Sequence, residues 1–196
     1  MAGLFITFEG PDGSGKSTQV ERLAAALAAR DPLVVREPGG TELGERIRDL
    51  LLHRPEGMSG EAEMYLFMAA RAELLETVIK PALAAGRVVV DDRYHDSTVA
   101  YQGGGRGIAV PWPEGFPKPD LTILLALPPQ DGIGRLERSG KLLDRLDAES
   151  PDFHRRAAAK YDQIAGAEPK RFLRLDATAD PDRIHQQVMR RVNELL

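Results

Sequence analysis

An apolar run, Leu4 to Phe8, feeds directly into Gly10-Pro11-Asp12-Gly13-Ser14-Gly15-Lys16-Ser17, and this junction constrains the fold more than any other stretch of the chain. The spacing is that of a GxxxxGK[ST] loop. Its glycines let successive backbone N–H groups turn inward around phosphate oxygens, while the helix that follows contributes its positive end. The context agrees, because Val20, Leu23, Ala24 and Leu27 recur with helical period after the loop. Lys16 then reaches the β- and γ-phosphates of a nucleoside triphosphate, and Ser17 ligates Mg²⁺. The bland alternative is a glycine-rich turn that only joins strand to helix.

The remaining elements alternate. Leu33 to Val35 reads as a second strand that stops at Arg36-Glu37-Pro38-Gly39-Gly40, since Pro-Gly-Gly cannot extend it. Thr41 can cap a helix carrying Leu43, Ile47, Leu50 and Leu51, and His53 to Gly60 reads as a loop. A long helix is expected from about Glu61 to Lys80, with Pro81 kinking or re-capping it. Arg87 to Asp92, acidic at its end, Leu121 to Leu127 and Arg171 to Leu175 are mainly apolar runs, the pattern of central parallel strands covered on both faces. Asp180 with Pro181 opens a terminal helix whose Ile184, Val188, Val192 and Leu195 share a face. Five strands alternating with helices predict an α/β fold with a right-handed, mainly parallel sheet and ligands at the strand C-termini.

Length and charge narrow the partners. A chain of 196 residues suits a single domain with one core, spanning 1–196. A net charge of −4 argues against a nucleic-acid surface, which needs clustered basic charge. There is no apolar run of membrane length and no signal-peptide pattern at the N-terminus, so a cytoplasmic location without membrane contact is expected. The absence of cysteine excludes disulfides and cysteinyl metal sites.

Several polar residues are left over by this structural reading. Met64, Phe67, Arg71, Leu75 and Val78 share one helix face. Arg71 there either pairs with a core carboxylate while Phe67 packs in the core, or Phe67 offers a flat surface and Arg71 hydrogen bonds to a planar ligand such as a base. Asp91 and Asp92 end a strand where a carboxylate can organise Mg²⁺ opposite Ser17. Arg93 is a candidate clamp for an acceptor phosphate, or simply the partner of an adjacent acid. His95 receives no role beyond a structural pair with Asp96. Tyr101-Gln102-Gly103-Gly104-Gly105 implies close ligand approach or a plain surface loop. The basic cluster Arg135, Arg138, Lys141 and Arg145 is either a solvated face or a mobile lid, around 135–150, that carries an arginine over the transferring phosphates. Gly13, where a basic residue could stand in the loop, favours the lid.

Together these segments resemble the thymidylate kinase family of P-loop nucleoside-monophosphate kinases over nearly the whole chain. The most specific stretches are Phe8 to Gln19, Arg36 to Thr41, Asp92-Arg93 with Ser97-Thr98, and Ala100 to Gly107. The resemblance implies a three-layer fold and transfer of the γ-phosphoryl group of ATP to dTMP, giving ADP and dTDP with Mg²⁺ as cofactor. It places ATP against Gly10, Asp12, Gly13, Ser14, Gly15, Lys16, Ser17 and Thr18, with Ala177 in an adenine-contacting loop. Asp12 would also contact the sugar or phosphate side of dTMP, and Arg48 and Arg93 would grip its phosphate. Phe67 would stack on thymine and Arg71 would bond to its O4. Thr98 and Gln102 would read the base edge, with Ser97 in the same substrate-binding set, and Tyr101 would crowd the sugar 2′ position. Glu37 and Pro38 would shape the acceptor site. Lys16, Arg93, Asp92 and Arg138 are the expected catalytic residues, with Arg135 and Lys141 as rivals to Arg138. Gly13 and the basic lid resemble the bacterial branch, and a homodimer through helices flanking the acceptor site is implied.

Two other readings stand beside this one: a P-loop kinase for a different nucleoside monophosphate, and a noncatalytic nucleotide-dependent regulator. A GTP switch fits less well, since the sequence has no Asn-Lys-x-Asp segment.

Overall fold

The computed structural model describes residues 3–53, 57–140 and 142–196. Its sheet has five strands: β1 (Leu4–Glu9), β2 (Leu33–Arg36), β3 (Val88–Asp92), β4 (Leu121–Ala126) and β5 (Phe172–Asp176). They lie in the order β2-β3-β1-β4-β5, and every pairing is parallel. The order reverses at β1, flanked by β3 and β4, so a crevice opens at the C-terminal ends of these strands.

Alternation along the strands builds the core on both faces of the sheet. Ile6, Phe8, Val88 and Val90 pack with Val20 and Leu23 of α1 (Lys16–Ala26) and with Ile184, Val188 and Val192 of α8 (Pro181–Asn193). On the other face Phe5 and Val89 meet Leu74, Leu75 and Ile79. Leu124, beside them, meets Phe153 and Tyr161 of α7 (Pro151–Ala167). The expected three layers are therefore present.

Helix starts follow capping chemistry. Asp180 accepts from the N–H groups of Asp182 and Arg183, and Thr41 Oγ1 accepts from Gly44 N–H at 2.9 Å near the start of α2 (Glu42–His53). In α2 the buried stripe is Ile47, Leu51 and Leu52; Leu43, expected inside, is exposed. The expected loop from His53 to Gly60 includes positions 54–56, which lie outside the described residues.

The long helix has three parts: α3 (Gly60–Leu74), a π-helical turn at Leu75–Ile79, and α4 (Lys80–Ala84). Pro81 lacks an N–H and crowds the carbonyl four residues earlier; the widened turn before it accommodates both effects without breaking the helix. After β3 come the short α5 (His95–Thr98) and a second π-helical stretch, Val99–Gly105. Residues expected in a mobile lid are partly helical, since α6 (Pro129–Arg138) carries both Arg135 and Arg138. Leu195 falls beyond the end of α8 and is exposed.

Candidate active site

The phosphate loop joins β1 to α1 at the sheet's switch point. Gly10, Gly13 and Gly15 have φ of 134°, 74° and 89°, and Gly15 precedes the first residue of α1. A Cβ on Gly13 would stand 2.3 Å from the Gly132 carbonyl oxygen, so the loop rests directly on the backbone of α6. Lys16 Nζ donates to the carbonyls of Gly10 (3.1 Å) and Pro11 (2.9 Å) across the loop. Burial first, then the neighbouring charge of Arg93, lowers its pKa to about 8. Ser17 Oγ donates to Asp92 Oδ2 at 2.8 Å, which brings the two proposed metal oxygens together. Ser14 is buried, and Thr18 lines the crevice beside Gly15.

Arg93 crosses from β3 to this loop. Its φ of 77° is in the left-handed region, an uncommon state for a residue with a long side chain. Its Nη1 donates to the Gly10 carbonyl at 3.0 Å and Ser97 Oγ at 3.2 Å, and its Nη2 to Asp12 Oδ1 at 2.9 Å. The guanidinium also lies 5.4 Å from the Tyr101 ring centre, and the Tyr101 hydroxyl reaches Asp12 Oδ2 at 3.5 Å.

The crevice, about 650 Å³, continues from the loop to Glu37, Pro38, Arg48, Phe67, Thr98 and Gln102. Arg48 Nη1 donates to the Pro38 carbonyl at 2.8 Å, which ties α2 to the turn after β2. Gln102 Nε2 donates to Glu63 Oε1 at 2.8 Å. Glu63 also accepts from Arg106 at 2.9 Å and Arg145 at 2.5 Å. Burial opposes ionisation of Glu63, but the donors of Arg106, Gln102 and Arg145 hold its carboxyl below the ordinary range.

Asp91, Arg71, Arg138 and Ala177 stand outside the crevice lining. Asp91 does not face Ser17: strand alternation sends it to the opposite side of the sheet from Asp92, fully buried and close to Glu37. Burial first, then the Glu37 charge, pushes its pKa well above the carboxylate range, and Glu37 is shifted upward by its own burial. A proton shared by these two carboxyls would pair Glu37 Oε1 with one Asp91 oxygen, each otherwise without a hydrogen-bond partner among the described residues. Arg71 makes the ion pair of its structural reading, while Phe67 lines the crevice as in the ligand-binding one. Its Nε donates to Glu37 Oε2 at 2.6 Å, its Nη1 to Thr98 Oγ1 at 2.8 Å and its Nη2 to the Tyr94 carbonyl at 3.0 Å. It is 2% exposed and meets the crevice lining through Glu37 and Thr98.

Arg138 is exposed at the end of α6, outside the crevice lining, whereas Arg135, one turn earlier, lines it. Arg135 donates to the Gly13 carbonyl at 3.2 Å and the Ala177 carbonyl at 3.0 Å. Ala177 itself is buried under that contact, outside the crevice lining. Lys141 lies outside the described residues.

Sequence reasoning assigned no role to Glu9, Glu63 or Asp144. Asp144 lines the crevice, while Glu9 and Glu63 are buried behind it. Glu9 carried a readable sign, since it is an acid ending an apolar strand immediately before the loop's first glycine.

A parallel sheet in this order, with a phosphate loop after its central strand and an arginine-lined recess beside it, defines a P-loop nucleoside-monophosphate kinase. A family profile described as thymidylate kinase matches residues 8–188. A thymidylate kinase of Gluconobacter oxydans is 44% identical over 205 aligned positions, covering 99% of this chain and 96% of that protein. One from Pseudomonas entomophila is 48% identical over 187 positions, covering 90% and 89% respectively. The crystal structure of thymidylate kinase from Ehrlichia chaffeensis superposes with a TM-score of 0.78 at 30% identity, covering 98% of this chain and 100% of that one. The chain belongs to the thymidylate kinase family.

Proposed function

We infer that this chain transfers the γ-phosphoryl group of ATP to dTMP, releasing ADP and dTDP. The observation that carries the reading is one continuous crevice lined both by Lys16 and Ser17 of the phosphate loop and by Arg93, Phe67 and Gln102. Two anionic substrates can meet head to head only where fixed positive charge offsets their repulsion. Lys16 supplies it on the donor side, Arg93 and Arg48 on the acceptor side. The dTMP phosphate is already an oxygen nucleophile, so no strong general base is needed.

Phe67 offers thymine a stacking face, and Thr98 and Gln102 stand at the base edge, with Arg71 fixing Thr98 from behind. Tyr101, held near Asp12, fills the space beside the sugar. The segment Asp176-Ala177-Thr178, at the end of β5, meets Arg135 through the Ala177 carbonyl, on the donor side where adenine would lie.

Ser17 and Asp92 fit Mg²⁺: they present hard oxygens 2.8 Å apart on the crevice wall, and Mg²⁺ needs only one or two protein oxygens beside waters and phosphates. When bound, the ion neutralises charge on the phosphates. We assign residues 135–150 to a lid on a single kinase domain over 1–196, with Arg135 as its basic group in contact with the phosphate loop. A homodimer through α2 and α3 is supported by Leu43 and Tyr65, exposed apolar residues on those helices. Among the described residues no helix is long and apolar enough to cross a membrane.

The test is ADP formation from ATP with a panel of acceptors. ADP that depends on dTMP, with dTDP as co-product and little turnover of dCMP, is expected. Equal use of dCMP would favour a kinase for another monophosphate, and ATP binding without acceptor-dependent ADP would favour a regulator.

A further inference from the structure

Behind Arg93 lies a carboxylate that the transfer reaction does not touch. Glu9 ends β1 with no exposed surface. Its Oε1 accepts the Tyr94 N–H at 2.8 Å, and its Oε2 accepts the hydroxyls of Ser97 at 2.6 Å and Tyr161 at 2.8 Å. Burial first, then the charge of Asp96, pushes its pKa up to about 7, while Ser97, Arg93 and Tyr161 favour the ionised form. Only that form can accept from all three donors at once.

This arrangement fixes the direction of the next bond. Because Ser97 spends its hydrogen on Glu9, its oxygen is left to accept, and it accepts from Arg93 Nη1 at 3.2 Å. Glu9 also pins the backbone N–H of Tyr94, the residue directly after the left-handed Arg93. Side chain and backbone of Arg93 are thus both referred to one buried group.

We propose that Glu9 is the positioning residue of the acceptor-phosphate clamp, holding Arg93 in its left-handed backbone state and aiming its guanidinium through Ser97 and Tyr94. The proposal rests on the reading of Arg93 as that clamp. Glu9→Gln keeps the shape but turns one corner into an NH₂ donor. Facing Tyr94 it opposes a backbone N–H. Facing Ser97 it turns the hydroxyl hydrogen away from position 9, toward Tyr161 Oη at 2.8 Å or the guanidinium, itself a donor, and the bond to Arg93 Nη1 loses the alignment that Glu9 gave it. Either way Arg93 loses its seat.

The experiment is calorimetric titration of dTMP and of thymidine, which lacks the phosphate, into the full chain and into Glu9→Gln. A displaced clamp lowers dTMP affinity about tenfold and leaves thymidine within about twofold. Should Glu9→Gln fail to fold by circular dichroism, Tyr161→Phe carries the test, since it removes one donor from Glu9 and should weaken dTMP alone by about threefold. An unchanged dTMP-to-thymidine ratio in the folded variants, or equal loss of both ligands, overturns the proposal. A wild-type chain that binds dTMP no better than thymidine overturns instead the acceptor-site reading beneath it.

Discussion

Lowering the pH should destabilise this protein through a buried imidazole. His95 sits in α5 with no exposed surface, its ring centre 4.6 Å from that of Trp112 and 6.2 Å from that of Phe116. Neither ring nitrogen has a hydrogen-bond partner among the described residues; the Pro111 carbonyl is near enough to favour the charged form but misses hydrogen-bond geometry. Burial first, then the charge of Arg71, lowers the pKa from 6.5 to about 3. The unfolded chain takes up a proton as pH falls below 6.5, and the native state does not. The stability linked to the neutral ring is therefore complete above pH 6.5 and is lost as pH falls toward 3. At pH 5, RT ln(1 + 10^(6.5 − 5)) gives about 2 kcal/mol, a figure that holds for any folded value below about 4. The assay is urea unfolding at pH 7.5 and pH 5 for the natural chain and His95→Phe, whose ring keeps the edge contacts. The natural chain should lose about 2 kcal/mol more than the variant, or about 4–8 °C in Tm. Parallel losses in the two proteins would refute the reasoning.

Other perturbations test the site. Lys16→Ala, and separately Arg93→Ala, should cut kcat at least about a hundredfold with circular dichroism unchanged. Asp92→Asn should raise the Mg²⁺ concentration needed for half-maximal activity, whereas Asp91→Asn, on the other face of the sheet, should leave that concentration unchanged. Arg71→Met strands the buried Glu37 carboxylate, and urea titration should show a loss of about 3–5 kcal/mol.

What could be read in advance was local. The run from Leu4 to Ser17 sets strand, loop and helix by its own spacing, and Asp180-Pro181 marks a helix start without help from the rest of the chain. Asp91 and Asp92 show where local reading stopped short, since strand alternation already required that only one of two neighbours face Ser17. The Arg71–Glu37 pair joins residues 34 positions apart, and no periodicity in either segment reveals it. Helix α7 did leave a trace, in Ser150-Pro151 and the four-residue spacing of Phe153, Ala157, Tyr161 and Ala165, all buried. The louder signal in that region is the basic cluster, which points to Arg138, although Pro128-Pro129 opens a helix that places Arg135 in the crevice.

Where Gly13 meets Gly132, peptide lies against peptide with no room for a side chain on either: a Cβ on Gly132 would come within 2.3 Å of the Asp12 carbonyl oxygen. The cradle and the start of α6 are consequently one stiff plate. Any shutter over the crevice must pivot farther along, where Gly140 takes a φ of 71° after the helix ends. Arg135 marks the foot of the proposed lid, tied to the frame by its bond to the Gly13 carbonyl, so closure of the chain beyond it would tighten around a nucleotide without reshaping the seat that first received it.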